Sequence, residues 1–261
     1  MSKNTNTFLL WKDMVLFWGT ISKEIKLHEH PAIQLVFGIN HPFLHKNNEN
    51  QWVPKYGLLI GASQQHECDA HGQPIFSLKI DSESLLGESI TQQLTASNPI
   101  ITLSKPFSEY FDLPLIQQLI QTGDHSAIYE QITRFFKSEM KVALHFAEKD
   151  PRIQTVIDYL KEHYLESVPT EQLLEMAHLS ESRFLHLFKE QVGIPVRNYI
   201  HWCRIQHAIK SIMNGMNLTE AAYESGFADS AHLSRIFTRM TGASPSLTMK
   251  NSRIVQVFVE E

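Results

Sequence analysis

Two stretches near the end of the 261-residue chain combine cationic, hydroxyl and imidazole side chains on the outer side of a predicted helix. Such groups donate hydrogen bonds to base edges and phosphate oxygens. The residues are Ser182, Arg183, His186 and Lys189 in the first stretch and Ser230, Ala231, Ser234, Arg235 and Arg239 in the second. A single charged helix face is most often only solvated. Whether these two faces form contacts or are only solvated therefore depends on the secondary-structure elements that position them.

An internal repeat with a shift of 49 residues positions both stretches. The repeat aligns Phe184 with Leu233, Phe188 with Phe237, Gly193 with Gly242 and Ser180 with Asp229. In each copy a short helix, a tight turn and a cap residue precede a second helix, which is helix-turn-helix spacing. Gly226 supplies the turn residue in the second copy. His178 takes that place in the first copy, which is acceptable because histidine is enriched in the left-handed region.

The last hundred residues read as consecutive helices after the Asp150-Pro151 boundary. We expect helices over residues 152–164, 170–177, 181–192, 195–214, 218–225 and 230–241, with a last turn from Pro245. Ser180 and Asp229 are N-cap residue types that satisfy first-turn amides. Pro195 opens the long helix at its favoured first position and would fix the two units relative to each other. On one face of DNA, such units lie about 34 Å apart.

Composition indicates an ordinary globular chain of two domains, with 43% hydrophobic and 20% charged residues. The formal net charge is −5, and from residue 152 onward 11 basic residues face 12 acidic ones. Bulk charge alone does not indicate nucleic-acid binding. The apolar run that begins at Phe8 is too short for a signal peptide or membrane span. Cys68 and Cys203 lie far apart and fit reduced thiols.

The C-terminal segments closely resemble the AraC/XylS family of bacterial transcription regulators. The resemblance rests on residues 180–199 (SESRFLHLFKEQVGIPVRNY), 204–208 (RIQHA) and 221–245 (AAYESGFADSAHLSRIFTRMTGASP). It covers roughly residues 152–250. It implies that Ser182, Arg183, Leu185 and His186 face the DNA groove from the first unit. Ser230, Ala231, Ser234 and Arg235 would do so from the second.

Some positions depart from the family pattern. Leu174 stands where a small alanine usually packs, Leu185 and His186 replace polar or arginine positions, and Thr238 stands where lysine is frequent. The last family turn, usually Tyr-Arg, reads Thr248-Met249 here. Fewer cations imply weaker nonspecific phosphate binding. These departures bear on which site is bound more than on whether DNA is bound.

The front half reads as β-strands followed by helices. Apolar runs at residues 14–18, 33–38 and 57–61 are separated by turn residues and indicate strands of a sandwich or small barrel. From Phe107 the spacing becomes helical, with two helices broken at Gly123. The second helix, roughly residues 126–147, is amphipathic. Packing within the domain and a dimer seam are equally good interpretations of its apolar face.

His28 and His30 alternate on a predicted strand, so both would point to one barrel face, with His66 joining from a later strand. Three such histidines could bind Zn²⁺ or Fe²⁺, with Glu29, Glu67 or Cys68 adding a ligand. No complete set of two histidines and a carboxylate can be assigned. We therefore favour the interpretation that these histidines line an effector pocket or lie at the surface. The alternative function is a cupin-type metal-binding protein or metalloenzyme with an appended helical domain.

We predict an α+β protein of two domains that recognises DNA and has neither enzymatic activity nor a cofactor. Residues 1–106 form a β-rich, cupin-like sensing barrel, 107–150 a helical connector that is a candidate dimer surface, and 151–250 an all-α DNA-binding domain whose two units are joined by a long helix. The expected partners are double-stranded promoter DNA, a small-molecule effector, a second copy of the chain and, if the protein activates transcription, RNA polymerase. The expected location is the cytoplasm, with no membrane contact. Binding of another regulator remains a third function class.

Overall fold

The computed structural model describes residues 6–21, 23–94, 97–144, 149–249 and 252–256. The chain splits into two compact units, one of Met1–Phe146 with Pro245–Glu261 and one of Ala147–Ser244. The first unit is β-rich and the second is helical. This confirms the α+β prediction of a β-rich front half and an all-α half with two helix-turn-helix units.

Two antiparallel sheets form the front unit, and one of them gains a parallel strand from the C-terminal segment. The larger sheet has the order β10-β7-β4-β9-β2-β1-β11. Its strands are β1 (Asn6–Leu10), β2 (Met14–Thr20), β4 (Ile33–Gly38), β7 (Gly57–Ile60), β9 (Pro74–Ile80), β10 (Ile100–Leu103) and β11 (Ser252–Gln256). The smaller sheet has the order β3-β8-β5-β6, with β3 (Ile25–His28), β5 (Phe43–Lys46), β6 (Trp52–Lys55) and β8 (His66–Asp69). The three strands predicted from apolar runs are confirmed as β2, β4 and β7.

Strand β4 shows how the larger sheet separates two environments. Alternate residues of a strand point to opposite faces. Leu35 and Phe37 belong to the main apolar core, which includes the helices of this unit. Val36, one position along, belongs to a separate small cluster with Phe43 of β5. Gln34 shares the face of Val36, so that face is partly polar.

Helices cover the apolar face of the larger sheet. They are α1 (Leu85–Thr91), a 3-10 turn (Phe107–Glu109), α2 (Leu113–Thr122) and α3 (His125–Ser138). Gly123 ends α2 in the left-handed region, with φ of 78°, so the predicted break is confirmed. The buried residues Ile128, Ile132 and Phe136 of α3 join the core, so this stripe packs within the domain. Helix α1 was not predicted.

The extension of the second connector helix to residue 147 is wrong. Helix α3 ends at Ser138. Lys141 adopts a left-handed conformation with φ of 56°, and the amide of Val142 donates to the carbonyl of Phe136. The chain therefore reverses there and buries Val142. Residues 145–147 of the predicted helix lie outside the described part of the chain.

The helical unit follows the predicted order closely. Its helices are α4 (Pro151–His163), α5 (Thr170–Ala177), α6 (Glu181–Val192), α7 (Val196–Met213), α8 (Leu218–Glu224) and α9 (Ser230–Thr241), followed by α10 (Pro245–Met249), which groups with the front unit. Pro195 is the N-cap of α7, with ψ of 144°, and not its first helical residue. Among the described helices, none is both long and apolar enough to cross a membrane.

Candidate functional sites

The first helix-turn-helix unit consists of α5, a turn and α6. His178 caps the end of α5 with φ of 51° and ψ of 42°, which confirms the predicted left-handed histidine. Ser180 has the extended backbone of an N-cap, but its side chain accepts no capping hydrogen bond. The expectation that its hydroxyl satisfies first-turn amides is therefore wrong. Tertiary packing of α6 holds this helix start in its place.

The second unit, α8 with α9, has stronger local signals. Asn217 and Glu220 form a reciprocal capping box at the start of α8. Gly226 turns the chain with φ of 74°. The carboxylate of Asp229 accepts a hydrogen bond of 2.6 Å from the backbone amide of His232 and so caps α9. The predicted cap and turn residues of this unit are confirmed.

Buried apolar residues anchor the second helix of each unit. Helix α6 buries Phe184, Leu187 and Phe188. Helix α9 buries Leu233, Ile236 and Phe237 in the corresponding positions. Because these side chains define the inner face, the opposite face of each helix is fixed toward solvent.

The predicted contact residues lie on those outward faces. In α6, the side chains of Ser182, Arg183, Leu185, His186 and Lys189 are all exposed. In α9, Ala231, Arg235 and Arg239 are exposed, whereas Ser230 and Ser234 are half-buried. Leu185 is 39% exposed and leaves an apolar group beside the cations of α6. Each unit thus presents hydrogen-bonding and cationic groups on one accessible helix surface.

The outward faces of α6 and α9 differ in the carboxylates that lie near them. The Asp150 carboxylate accepts two hydrogen bonds from the Arg152 guanidinium, at 2.9 and 2.6 Å. These hydrogen bonds lower the pKa of Asp150 to about 2. A further hydrogen bond from the backbone amide of Arg152 and the positive charge of Arg183 add to the effect. On α6 itself, Glu190 lies 3.6 Å from the His186 ring. For Arg235 and Arg239, the structure records no ion pair with a carboxylate among the described residues.

Arg204 of α7 connects the turn of the second helix-turn-helix unit to the segment that follows α4, and the sequence marked it only as part of a motif. Its guanidinium donates to the backbone carbonyls of Tyr164, Gly226 and Glu166, at 2.7, 2.9 and 2.9 Å. The first and third carbonyls follow α4, and the second belongs to the turn after α8. A Cβ added to Gly226 would lie 3.2 Å from the same guanidinium. Arg204 therefore positions the turn of the second unit against the segment that follows α4.

A cluster of three buried histidines forms the second candidate site. His28 and His66 are cross-strand partners in β3 and β8, with ring centroids 4.1 Å apart. The centroid of the His30 ring lies 5.5 Å from that of His28 and 5.2 Å from that of His66. One ring nitrogen from each histidine lies within 4.8 Å of the others. The structure thus brings the three predicted residues together.

The route by which they meet differs from the prediction. His30 lies after the end of β3, so it does not alternate with His28 on one strand. A register shift between Ile25 and His28 bends β3. The carbonyl of His30 accepts a 2.7 Å hydrogen bond from the amide of Ser63, which holds the loop in place.

The carboxylates and thiol considered as further ligands do not join the cluster. Glu29 is exposed, and Glu67 forms a 3.1 Å ion pair with Lys46. Burial raises the pKa of the Cys68 thiol to about 12, with the charge of Glu67 adding to the effect, so it stays protonated. Gln34 lies at the cluster instead. Its Oε1 is 2.8 Å from Nε2 of His30 and 3.2 Å from Nε2 of His66.

Burial controls the charge of these histidines. It lowers the pKa of His28 to about 2 and that of His66 to about 4, and it holds the pKa of His30 well below its usual value. Burial also lowers the pKa of Lys79 to about 8. Lys79 stands opposite Gln34 in the β4–β9 pair, and its charge lowers the pKa of all three histidines further. The rings are therefore neutral at neutral pH.

Residues 173–251 match a protein family described as a helix-turn-helix domain. YbfI of Bacillus subtilis, an uncharacterized HTH-type transcriptional regulator, is 30% identical over 106 residues, or 41% of this chain and 38% of YbfI. LumQ of Photobacterium leiognathi, a probable transcriptional regulator, is 23% identical over 237 residues, or 87% of this chain and 93% of LumQ. The match to YbfI thus spans less than half of that relative.

Likeness to a solved structure extends over the β-rich front unit and the helical unit. The crystal structure of ToxT from Vibrio cholerae O395 has a TM-score of 0.60 and 14% sequence identity, and covers 92% of this chain and 100% of ToxT. At this identity the likeness shows the fold. It includes the β-rich front unit, for which the sequence resemblance is weakest.

Proposed function

We propose that this chain is an AraC-type transcription regulator in which α6 and α9 bind successive major grooves of promoter DNA. One observation carries the proposal. Two matching units each hold a helix by buried apolar anchors and leave a cationic, hydrogen-bonding face exposed. A helix presented in this way fits the major groove, where base edges are distinguishable.

The residues divide by the chemistry of their contacts. Arg235 and Arg183 read base edges, because guanidinium groups form bidentate bonds to guanine. Ser182, His186, Ser230 and Ser234 bond to bases or phosphates, and Leu185 and Ala231 offer apolar contact to a thymine methyl. Lys189 and Arg239 bind phosphate oxygens.

The front unit controls DNA binding through a small-molecule effector or through assembly of a homodimer. One ToxT crystal structure contains a bound unsaturated fatty acid, with a TM-score of 0.58 to this chain. That likeness supports a ligand-binding role for the front unit here, and its partly polar interior offers groups that would recognise the effector. The protein acts in the cytoplasm, where promoter DNA lies, and contacts RNA polymerase if it activates transcription.

Arg235→Ala tests the base-reading role. We select DNA sites with the full chain at near-physiological salt and titrate the best site with each protein at fixed salt. Arg235→Ala should weaken specific binding by about 1–3 kcal/mol, or about 5- to 150-fold. Lys23→Ala removes an exposed charge from the loop between β2 and β3 and should leave the curve unchanged. An unchanged curve for Arg235→Ala contradicts the assignment.

A further inference from the structure

We propose that the front unit binds one divalent transition-metal ion through His28, His30 and His66, with Gln34 as the fourth donor. The three imidazoles converge from two strands and a loop, and each side chain is at most 6% exposed. Three neutral nitrogens and one amide oxygen form a compact donor set inside the protein. This site stands independently of DNA binding.

The hydrogen bonds of the rings fix which nitrogen faces the cluster. Nδ1 of His28, His30 and His66 lies 2.8 Å from the backbone carbonyl of Lys26, Ala32 and Gln64, respectively. A carbonyl oxygen only accepts, so each Nδ1 carries the proton. Each Nε2 then keeps its lone pair. Metal-binding histidines commonly show this arrangement, because the second hydrogen bond orients the ring and sets its tautomer.

Gln34 supplies the second observation. Oε1 of Gln34 lies 2.8 Å from Nε2 of His30 and 3.2 Å from Nε2 of His66. The Gln34 amide is oriented by its Nε2, which donates to the hydroxyl of Ser77 at 3.1 Å. Three lone pairs thus point at one region. A bound cation would be held by these lone pairs together.

The donor set selects the class of ion. Imidazole suits Zn²⁺, Cu²⁺, Ni²⁺ and Fe²⁺, whereas Mg²⁺ and Ca²⁺ take oxygen ligands. Tetrahedral Zn²⁺ with bonds of 2.0–2.1 Å places its ligand nitrogens about 3.4 Å apart. One ring nitrogen from each histidine lies within 4.8 Å of the others, so the rings must rotate toward one another to reach this spacing.

Substitution of Lys79 can tell whether the histidine cluster in the front unit binds a metal ion or an acidic effector. Lys79 lies on β9 opposite Gln34, and its ammonium would oppose a bound cation. The same ammonium would attract a carboxylate. Lys79→Met should therefore tighten metal binding several-fold, but it should weaken the binding of an acidic ligand.

Metal binding is measured on the full chain by calorimetric titration with Zn²⁺ and by the visible absorption of Co²⁺. We expect one ion per chain, and His66→Gln should weaken binding at least about tenfold. His45→Gln is the matched control, because His45 is also a buried histidine of the smaller sheet and lies outside the cluster. Its binding curve should equal that of the unaltered chain.

Gln34→Leu keeps the test decisive if His66→Gln does not fold. Zn²⁺ should raise the melting temperature of the unaltered chain and of His45→Gln, and raise that of Gln34→Leu much less. The proposal is overturned if Zn²⁺ binds equally to the unaltered chain and to these cluster variants. It is also overturned if Lys79→Met weakens Zn²⁺ binding. Neither result affects the assignment of α6 and α9 to DNA.

Discussion

The two helix-turn-helix units reach the same architecture with different local support. In the second unit, a glycine turn, a capping box and the Asp229 cap all specify the backbone. In the first, a left-handed histidine precedes a serine whose hydroxyl does not cap. The first unit instead packs α6 against large aliphatic residues of α4, among them Ile153, Ile157 and Leu160. Burial therefore replaces local signals where those signals are weak.

The units also differ in charge on the surface proposed for DNA. Asp150 and Glu190 place negative charge near Arg183 and His186 in the first unit. Arg235 and Arg239 have no recorded carboxylate partner within the described residues. Since phosphate contacts supply much of the affinity, we expect the second unit to contribute more of it.

The largest effect on stability should come from the hydrogen bonds by which Arg204 connects the second turn to the segment after α4. Arg204→Met removes three hydrogen bonds to backbone carbonyls. We expect the free energy of unfolding to fall by about 2–4 kcal/mol. Urea unfolding of the full chain measures it, with Arg197→Met, an exposed arginine of the same helix, as the control. Equal midpoints for the two variants would show that stability does not depend on these hydrogen bonds.

Substitution of the two turn residues should change the free energy of unfolding in opposite directions. Gly226→Ala forces a side chain into the left-handed region and within 3.1 Å of the Leu165 carbonyl, so it should cost about 1–3 kcal/mol of unfolding free energy. His178→Gly relieves a strained residue and should gain up to about 1 kcal/mol, even after the entropy cost of glycine. Urea midpoints measure both changes. A loss at both positions would mean that the His178 side chain itself stabilises the first turn.

The smallest effect on stability should come from the two N-cap residues, Asp229 and Ser180, which should differ in their contribution. Asp229→Ala loses a capping bond and should cost about 1 kcal/mol. Ser180→Ala should change the free energy of unfolding by less than about 0.5 kcal/mol, because its hydroxyl caps nothing. The same urea experiment compares them. Equal costs would indicate that Ser180 forms its cap in solution.

The helical unit could be predicted almost completely from sequence. The ends of α5, α6 and α9 are as expected, because glycine, cap residues and apolar spacing act locally. Ser180 shows the limit of such signals, since a suitable cap type does not ensure the bond. Arg204 could not be found in this way, because its three acceptors lie 22 to 40 residues away.

The front unit was less predictable because its contacts are distant in sequence. His28 and His66 meet only through the pairing of β3 with β8. His30 joins them from a loop that no periodic pattern marks, and Gln34 reaches the cluster because alternate residues of β4 face inward. The shortened α3 depends on the left-handed Lys141, which carries no local sequence signal.

Hydroxyl-radical footprinting tests the central claim most directly, that both units occupy one DNA site. The full chain should protect two patches about one helical turn apart. Arg183→Ala should weaken one patch, and Arg235→Ala should weaken the other, with the larger loss for Arg235. A single patch, or equal loss of both patches in either variant, would contradict the account.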